Sequence, residues 1–340
     1  MNLSVVLTSY NHSRFLSRAI QAILEQSLSP DEFIIIDDAS TDNSVEIIRE
    51  YARSNGTIRP VQNETNRGVI SALNQGLYLA RGDYVIYATA DDLVLPGLFE
   101  ESMGLLRHYP EAGLCSALAT VINEEGVPLH RLPSPIVARQ GFVSPRHALQ
   151  LLHRYATWLV GNTAVFRRDA LLEAGGFSPD LGPLCDTVVS QVIALRHGFC
   201  FIPRPLAAVR LSESSYSSRV IRDARRSLDV MRKAADVIHR VSGELFPEDP
   251  VPQVEKDWLY TYGVTLWREE VFYRQRLFVE KTLPLFKSQS SWLSRLFLSG
   301  FKLATYVQEF LVRVYFFIMF ARWRAFIKRG LTPRVPVQRK

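Results

Sequence analysis

Three short polar clusters near the start of the chain each follow an apolar run, and their side chains are of the types that bind charged ligands. They are Thr8–Asn11, Asp37–Ser40 and Thr89–Asp92. The apolar runs before them, such as Phe33–Ile36, are typical of strands buried on both faces of a parallel sheet. Because ligands of such sheets bind at the carboxyl ends of the strands, we expect the clusters to share one edge and to form a nucleotide-sized site.

Helical patterns separate the predicted strands. Apolar residues recur at helical spacing over Phe15–Ile23, directly after the first cluster. Alternating strands and helices predict an α/β fold with right-handed crossovers and helices on both faces of the sheet. Later in the chain the pattern becomes mainly helical, with an apolar stripe over Leu228–Val241 and a further predicted helix over Trp258–Leu283.

The sequence divides into a large domain over residues 1–220, a helical extension over 221–287 and a basic tail over 288–340. The 340 residues are 47% hydrophobic and 22% charged, which is typical of a globular protein with a large core. The tail holds ten Lys and Arg residues and one acid, Glu309, so residues 1–287 carry a formal charge of −3 out of a total of +6. Such local basicity argues against nucleic acid as a ligand of the large domain.

Cysteine usage and the first residues bear on the compartment. The three cysteines, Cys115, Cys185 and Cys200, are not closely spaced and fit neither a disulfide framework nor a zinc knuckle. No charged segment followed by an apolar one precedes the first predicted strand, so we see no secretory signal. We therefore expect a reducing, cytoplasmic environment.

Four motifs occur in order along the large domain. They read Ser4-Val-Val-Leu-Thr-Ser-Tyr-Asn11, Ile36-Asp-Asp-Ala-Ser-Thr-Asp42, Asn66-Arg-Gly68 and Ala88-Thr-Ala-Asp-Asp92. Their order and spacing resemble those of family 2 glycosyltransferases, over about residues 1–215. The resemblance implies the GT-A fold, a Rossmann-like, mixed and mainly parallel sheet, here with a C-terminal helical extension. It also implies inverting transfer of a sugar from a nucleoside-diphosphate donor, with UDP as the expected nucleotide, to an acceptor hydroxyl.

The acidic pair Asp91-Asp92 is predicted to bind Mg²⁺ or Mn²⁺. A divalent cation neutralises the charge of a leaving diphosphate, and carboxylates are its usual ligands. The resemblance assigns the metal to Asp92 and the donor's ribose to Asp91; a solvated acidic turn is the alternative for the pair alone. The chain departs from the family pattern at Thr89, where relatives commonly have an acid, and at Ser212, where many have a histidine that completes the metal shell.

The resemblance assigns the rest of the nucleotide pocket to residues that follow predicted strands. Thr8 and Tyr10 are expected to hold the base, and Asp38 is expected to accept a hydrogen bond from it. Arg67 is assigned to the pyrophosphate or to ordering Asp42, with a plain surface charge as the alternative.

Inverting transfer also needs a base that takes the proton of the acceptor hydroxyl. The resemblance places this carboxylate after a Gly-Gly-Phe and a loop, at the start of a helix. Here Gly175-Gly176-Phe177 leads to Asp186, which we predict to be the catalytic base. Thr187 replaces the aromatic residue that often follows the acid. The alternative is that Asp186 only caps a helix beginning at Thr187, and a helix N-terminus would also keep the carboxylate ionised.

The basic tail combines aromatic and cationic residues over 306–329. Its longest uncharged apolar run, Val314–Ala321, has eight residues, whereas a bilayer span needs about 18. The composition favours a helix in the plane of a membrane surface, with packing on the protein as the alternative. It predicts a peripheral protein on the inner face of the membrane, acting on a glycan or lipid-linked acceptor in cell-envelope glycan synthesis.

Two other functions fit parts of the pattern. One is a catalytically inactive GT-A scaffold that binds a membrane or a partner protein, because Thr89, Thr187 and Ser212 depart from the family. The other is a nucleotidyltransferase. It should carry a Gly-rich phosphate loop and a lysine near the first strand, but the first lysine of the chain is Lys233.

Overall fold

A computed structural model describes residues 1–132, 137, 139–153, 158–212, 215–222, 224–249 and 251. The predicted helix Trp258–Leu283 and the basic tail lie outside these residues. The strands in the described ranges are β1 (Leu3–Ser9), β2 (Glu32–Asp37), β3 (Ile58–Gln62), β4 (Tyr84–Thr89), β5 (Leu93–Val94), β6 (Leu114–Ile122), β7 (Pro128–Leu132), β8 (Gly141–Val143), β9 (Val165–Arg167) and β10 (Phe199–Arg210). The helices are α1 (Ser13–Leu24), α2 (Ser44–Ser54), α3 (Val69–Leu79), α4 (Leu98–His108), α5 (Pro145–Leu152), α6 (Arg168–Glu173), α7 (Cys185–His197), α8 (Tyr216–Arg222) and α9 (Ala224–Leu245), with 3₁₀ turns at Gly161–Thr163 and Pro179–Leu184.

The strands form one mixed sheet in the order β3-β2-β1-β4-β9-β6-β10-β5, with β7 paired to β6 and β8 paired to β10. Strands β1 to β4 run parallel to one another, as do β6 and β10. Strand β9 is antiparallel to both β4 and β6, so those two strands point the same way. The carboxyl ends of β1, β2, β4, β6 and β10 therefore lie along one edge. The predicted mixed, mainly parallel sheet is confirmed.

Both faces of the sheet are covered, as predicted. The central strands are buried on both sides because their alternate side chains enter two cores. Val6 of β1 belongs to the core shared with α3, α5, α6, α7 and α9, whereas Val5 and Leu7 belong to the core shared with α1, α2 and α4. A near-continuous apolar run was therefore the right signal for these strands.

The described part of the helical extension packs on the same body. Helix α9 lies against α7, and its apolar stripe buries Ala234, Ile238 and Val241. The predicted boundaries at 220 and 287 stay a prediction. In the part of the chain that the structure describes, no helix has the length and hydropathy of a membrane span.

Candidate functional site

The loops after β1 and β2 are bound to each other at the carboxyl edge. The Ser40 hydroxyl accepts from the Asn11 backbone N–H (2.9 Å) and donates to the Asp37 carboxylate (2.6 Å). The Asn11 side chain accepts in return from the Thr41 backbone N–H (2.7 Å). Asn11 and Ala39 adopt positive φ of 56° and 63°, as tight turns require. Asp37 therefore orders this turn.

Asp38 lies at the predicted edge and is buried. Its carboxylate accepts from the Asn63 side chain (2.8 Å), the Arg67 backbone N–H (3.0 Å) and the Gly68 backbone N–H (2.7 Å). Asp38 thus holds the loop between β3 and α3 in place. The backbone of Arg67 makes this contact, while its side chain is exposed at the same edge.

Two further predicted pocket residues lie at the carboxyl end of β1. Thr8 is buried at the end of the strand, and the Tyr10 side chain just beyond it is 43% exposed. Asp42 accepts from the Ser13 and Ser44 backbone N–H groups at 2.9 and 3.0 Å, so these groups order it. Burial acts to raise the pKa of Asp42, but the hydrogen bonds outweigh it and lower the pKa to about 2.

The Asp92 carboxylate also accepts several hydrogen bonds at this edge. One oxygen accepts from the Thr89 hydroxyl (2.6 Å) and from the Asn162 amide, and the other accepts from the Arg210 backbone N–H (2.6 Å). Burial and the neighbouring charge of Asp91 raise the pKa of Asp92 to about 7, against these hydrogen bonds, which favour the ionised form. Burial is the larger of the two causes.

The Arg210 guanidinium fixes the backbone around this pair. It donates to the carbonyl oxygens of Asp91 (3.0 Å), Asn123 (2.8 Å) and Glu124 (2.7 Å). The Arg210 Cζ atom lies 4.4 Å from the centre of the Phe15 ring, which is a cation–π distance. Arg210 therefore ties β10, the β4–β5 loop and the β6–β7 turn together.

The acidic residues at the carboxyl edge can be compared with what a divalent cation requires. Among the residues that the structure describes, no three His, Cys, Asp or Glu side chains stand together as a ready metal site. Ser212, at the position of the missing histidine, donates to Glu124 (3.0 Å). The Asp91-Asp92 pair nevertheless fits a hard divalent cation, because carboxylate oxygens are its preferred ligands and the cation would relieve the repulsion between the two acids.

Asp186 lies in the first turn of α7. The helix begins at Cys185 and its N-cap position is Leu184, so Asp186 is not the cap of a helix that begins at Thr187. One oxygen of Asp186 accepts from the Thr187 backbone N–H (2.7 Å), and the other lies against Gly161. Burial raises the pKa of Asp186. A raised pKa makes a carboxylate a stronger base near neutral pH.

The turn Gly161–Thr163 connects the two acidic positions, and the sequence analysis missed it. Asn162 contacts Asp92, and the adjacent Gly161 contacts Asp186. The turn directly precedes β9, whose antiparallel direction brings its amino end to the carboxyl edge of β4. A Gly-Asn pair before an apolar run was the available signal, but it is short and has no partner nearby in sequence.

Asp92→Asn is expected to change how stability depends on pH. In the folded protein Asp92 keeps its proton up to about pH 7, whereas the unfolded chain releases it near the ordinary value of 3.8. The free energy of unfolding of the wild type should therefore fall relative to that of the variant as the pH rises from about 4 to about 7. Urea unfolding of both proteins in chelator measures this difference. Asp180→Asn alters an exposed carboxylate and is the control. If the free energies of unfolding of the wild type and Asp92→Asn differ by the same amount from about pH 4 to about pH 7, the pKa of Asp92 is not raised.

The chain is similar to known proteins both in sequence and in fold. The sequence model of glycosyl transferase family 2 matches residues 4–174. An uncharacterized Mycobacterium tuberculosis protein is 29% identical over 240 residues, which is 68% of this chain and 73% of the relative. Several other relatives match over less than half of their own length.

Two of the solved structures with a similar fold are complexes with nucleotide sugars. Staphylococcus aureus TarS 1-349, in complex with UDP-GlcNAc, superposes with a TM-score of 0.57 at 18% identity, covering 83% of this chain and 76% of that one. The mannosyltransferase PcManGT of Pyrobaculum calidifontis, in complex with GDP-Man and Mn²⁺, gives 0.57 at 20% identity, covering 93% and 83%. With the family match over half of the sequence, these findings show that the chain belongs to glycosyl transferase family 2 and has the GT-A fold.

Proposed function

We propose that this protein transfers a sugar, with inversion, from a nucleoside-diphosphate donor to an acceptor hydroxyl, and that UDP is the first nucleotide to test. The observation that carries the proposal is that one three-residue turn contacts both Asp92 and Asp186. A carboxylate for the donor's diphosphate end and a base beside it are the two groups that such a transfer requires. The GT-A structures with UDP-GlcNAc and GDP-Man support a donor of this class.

Asp186 is the proposed catalytic base. The acceptor oxygen attacks the anomeric carbon of the donor, the bond from that carbon to the diphosphate oxygen breaks, and the acceptor proton passes to Asp186. The nucleoside diphosphate leaves with the bonding electrons. The oxygen of Asp186 beside Gly161 is the proposed proton acceptor, because the other oxygen is held by Thr187. Burial favours the protonated form that this step produces.

The proposed donor site follows the carboxyl edge. Thr8 and Tyr10 hold the base with Asp38, whose hydrogen bonds also order the loop that carries Arg67 toward the pyrophosphate. Asp91 is assigned to the ribose. Asp92 is assigned to Mg²⁺ or Mn²⁺, which, when bound, would neutralise the charge that develops on the leaving diphosphate. The Mn²⁺ in the complex of PcManGT supports this choice of cation.

A hydrolysis screen over UDP-, GDP- and dTDP-linked sugars with Mn²⁺ tests the activity itself. Water can replace the acceptor slowly in such a reaction. Release of the nucleoside diphosphate therefore reports donor binding and bond cleavage even when the acceptor is not known. Release from none of these donors, in a protein that unfolds cooperatively, would favour the inactive scaffold instead.

Asp92→Ala is expected to abolish the Mn²⁺-dependent part of nucleotide binding. The variant loses the proposed cation ligand, whereas the sheet that carries it stays intact. Calorimetry with UDP and with GDP, each with and without Mn²⁺, measures the effect. Asp83→Ala removes a carboxylate at the opposite end of β4 and should bind like the wild type. If Mn²⁺ strengthens UDP or GDP binding equally in the wild type and in Asp92→Ala, Asp92 is not the ligand.

Asp186→Asn should separate binding from chemistry. The amide keeps the shape of the side chain but accepts no proton, so donor affinity should be retained and turnover should fall by about two to four powers of ten. Initial rates and donor affinity on the same preparations measure both. Unchanged turnover would mean that another group is the base, and lost donor binding would mean that Asp186 supports the donor pocket.

The acceptor and the place of action are also part of the proposal. A glycan or lipid-linked acceptor at the inner face of the membrane fits the aromatic and basic residues of 306–329, a segment outside the described residues. Clustered Lys and Arg are attracted to anionic lipids by about 1 kcal/mol each, and aromatic side chains insert at the interface. A role in cell-envelope glycan synthesis follows from such an acceptor.

Vesicle co-sedimentation tests the membrane part of the proposal. The full-length chain should sediment with anionic vesicles, and a chain ending at Ser288 should remain in the supernatant while still hydrolysing the donor. Higher salt should weaken binding only in part, because screening acts on the charges and not on the inserted Phe, Ile and Trp side chains. Neutral vesicles are the control. A full-length protein that stays in the supernatant at low salt would refute membrane binding.

A further inference from the structure

The turn Gly161–Thr163 has an anchor as well as two acidic neighbours. The Thr163 hydroxyl is buried against β6 and lies within hydrogen-bond distance of Ser116 Oγ (2.9 Å) and of the Ala117 backbone N–H and carbonyl oxygen (both 3.0 Å). The Val160 carbonyl oxygen lies 2.9 Å away, so this oxygen and that of Ala117 are alternative acceptors for the single hydroxyl proton. Buried polar contacts of this kind fix a backbone because breaking them leaves groups without partners. The turn is therefore held rigidly at the sheet edge.

Gly161 is required for space and not for its backbone conformation. Its φ lies outside the left-handed region, so alanine fits the backbone. A methyl group at this position would nevertheless overlap one carboxylate oxygen of Asp186 and lie 3.0 Å from its Cγ. The absence of a side chain at 161 is what lets the Asp186 carboxylate sit against the turn.

Asn162 acts on the other acid. Its amide nitrogen donates to the Asp92 carboxylate and lies 3.3 Å from the Thr89 hydroxyl oxygen, which donates to the same carboxylate oxygen. Two donors on one oxygen leave the carboxylate with a single orientation. Groups that orient a metal-binding carboxylate in this way tune the affinity for the cation without touching it.

We propose that Gly161 and Asn162 are positioning residues that place the base and the donor-site carboxylate relative to each other through one rigid turn. This inference rests on the proposed function. Asn162 sets the orientation of Asp92 toward the cation and the diphosphate, and Gly161 sets the place of Asp186 beside the anomeric carbon. Because Thr163 anchors both neighbours to β6, the two acids keep a fixed separation while the donor binds.

Substitutions at the two positions should have separable effects, one on turnover and the other on nucleotide affinity. Gly161→Ala displaces Asp186 and should lower turnover about 100-fold, the cost of a misplacement on the order of 1 Å, while Mn²⁺-dependent UDP or GDP affinity stays unchanged. Asn162→Ala removes a donor to Asp92 and should weaken that affinity about 10- to 100-fold, while turnover at saturating donor and Mn²⁺ stays close to wild type. A turn with only a structural role would change affinity and turnover together.

Matched controls and a double variant complete the experiment. Gly104→Ala adds a methyl group in α4 with no atom within 4 Å, and Asn55→Ala removes an amide beside Thr57, away from the carboxyl edge; both should behave like the wild type. In an Asp186→Ala background, Gly161→Ala should have no further effect on turnover, because its target is gone. Full turnover in Gly161→Ala, or equal losses of affinity and turnover in both variants, would overturn the positioning role and leave the proposed function standing. A wild type that binds neither nucleotide and cleaves no donor would overturn the proposed function, and this inference with it.

Discussion

The Asp92 carboxylate is held by three donors from three separate parts of the chain, and the geometry of the edge depends on this arrangement. Thr89 belongs to β4, Asn162 to the turn before β9, and the Arg210 N–H to the end of β10. Asp92 is partly buried, and these hydrogen bonds replace the water that its carboxylate has lost. The ends of the three segments therefore meet within hydrogen-bond distance of this one carboxylate, at the edge that the strand pairing sets up.

The reversed direction of β9 makes this meeting possible. A sheet of parallel strands alone brings only the loops that follow strands to the carboxyl edge. Because β9 is antiparallel to β4 and β6, the turn that precedes it arrives at the same edge. Helix α7 also begins at the carboxyl edge. It ends next to the start of β10, at the opposite edge, and β10 then returns to the carboxyl edge at Arg210. One antiparallel strand thus adds Gly161 and Asn162 to the carboxyl edge.

The sequence predicts the features that depend on short local patterns, but it does not predict the contacts that join distant segments. The strands β1, β2 and β4 and the polar clusters after them were predicted because burial on both faces and turn chemistry are written in short runs. The contact of Asn162 with Asp92 spans 70 residues and that of Arg210 spans 118, and no local pattern encodes either. For Asp186, a start of α7 two residues earlier than predicted moved the acid from the cap into the first turn. Element boundaries are the least readable feature of a sequence.

The distribution of charge explains why the edge keeps its acidic character. Thr89 stands where an acid is common, and its hydroxyl donates to Asp92 and adds no third negative charge. Arg210 lowers the pKa of Asp92 only in part, because its guanidinium is directed to three backbone carbonyls and the Phe15 ring. A direct ion pair between Arg210 and Asp92 would have neutralised the site from within the protein. With the arginine committed to the backbone, burial and the neighbouring charge of Asp91 outweigh the hydrogen bonds and keep the pKa of Asp92 raised.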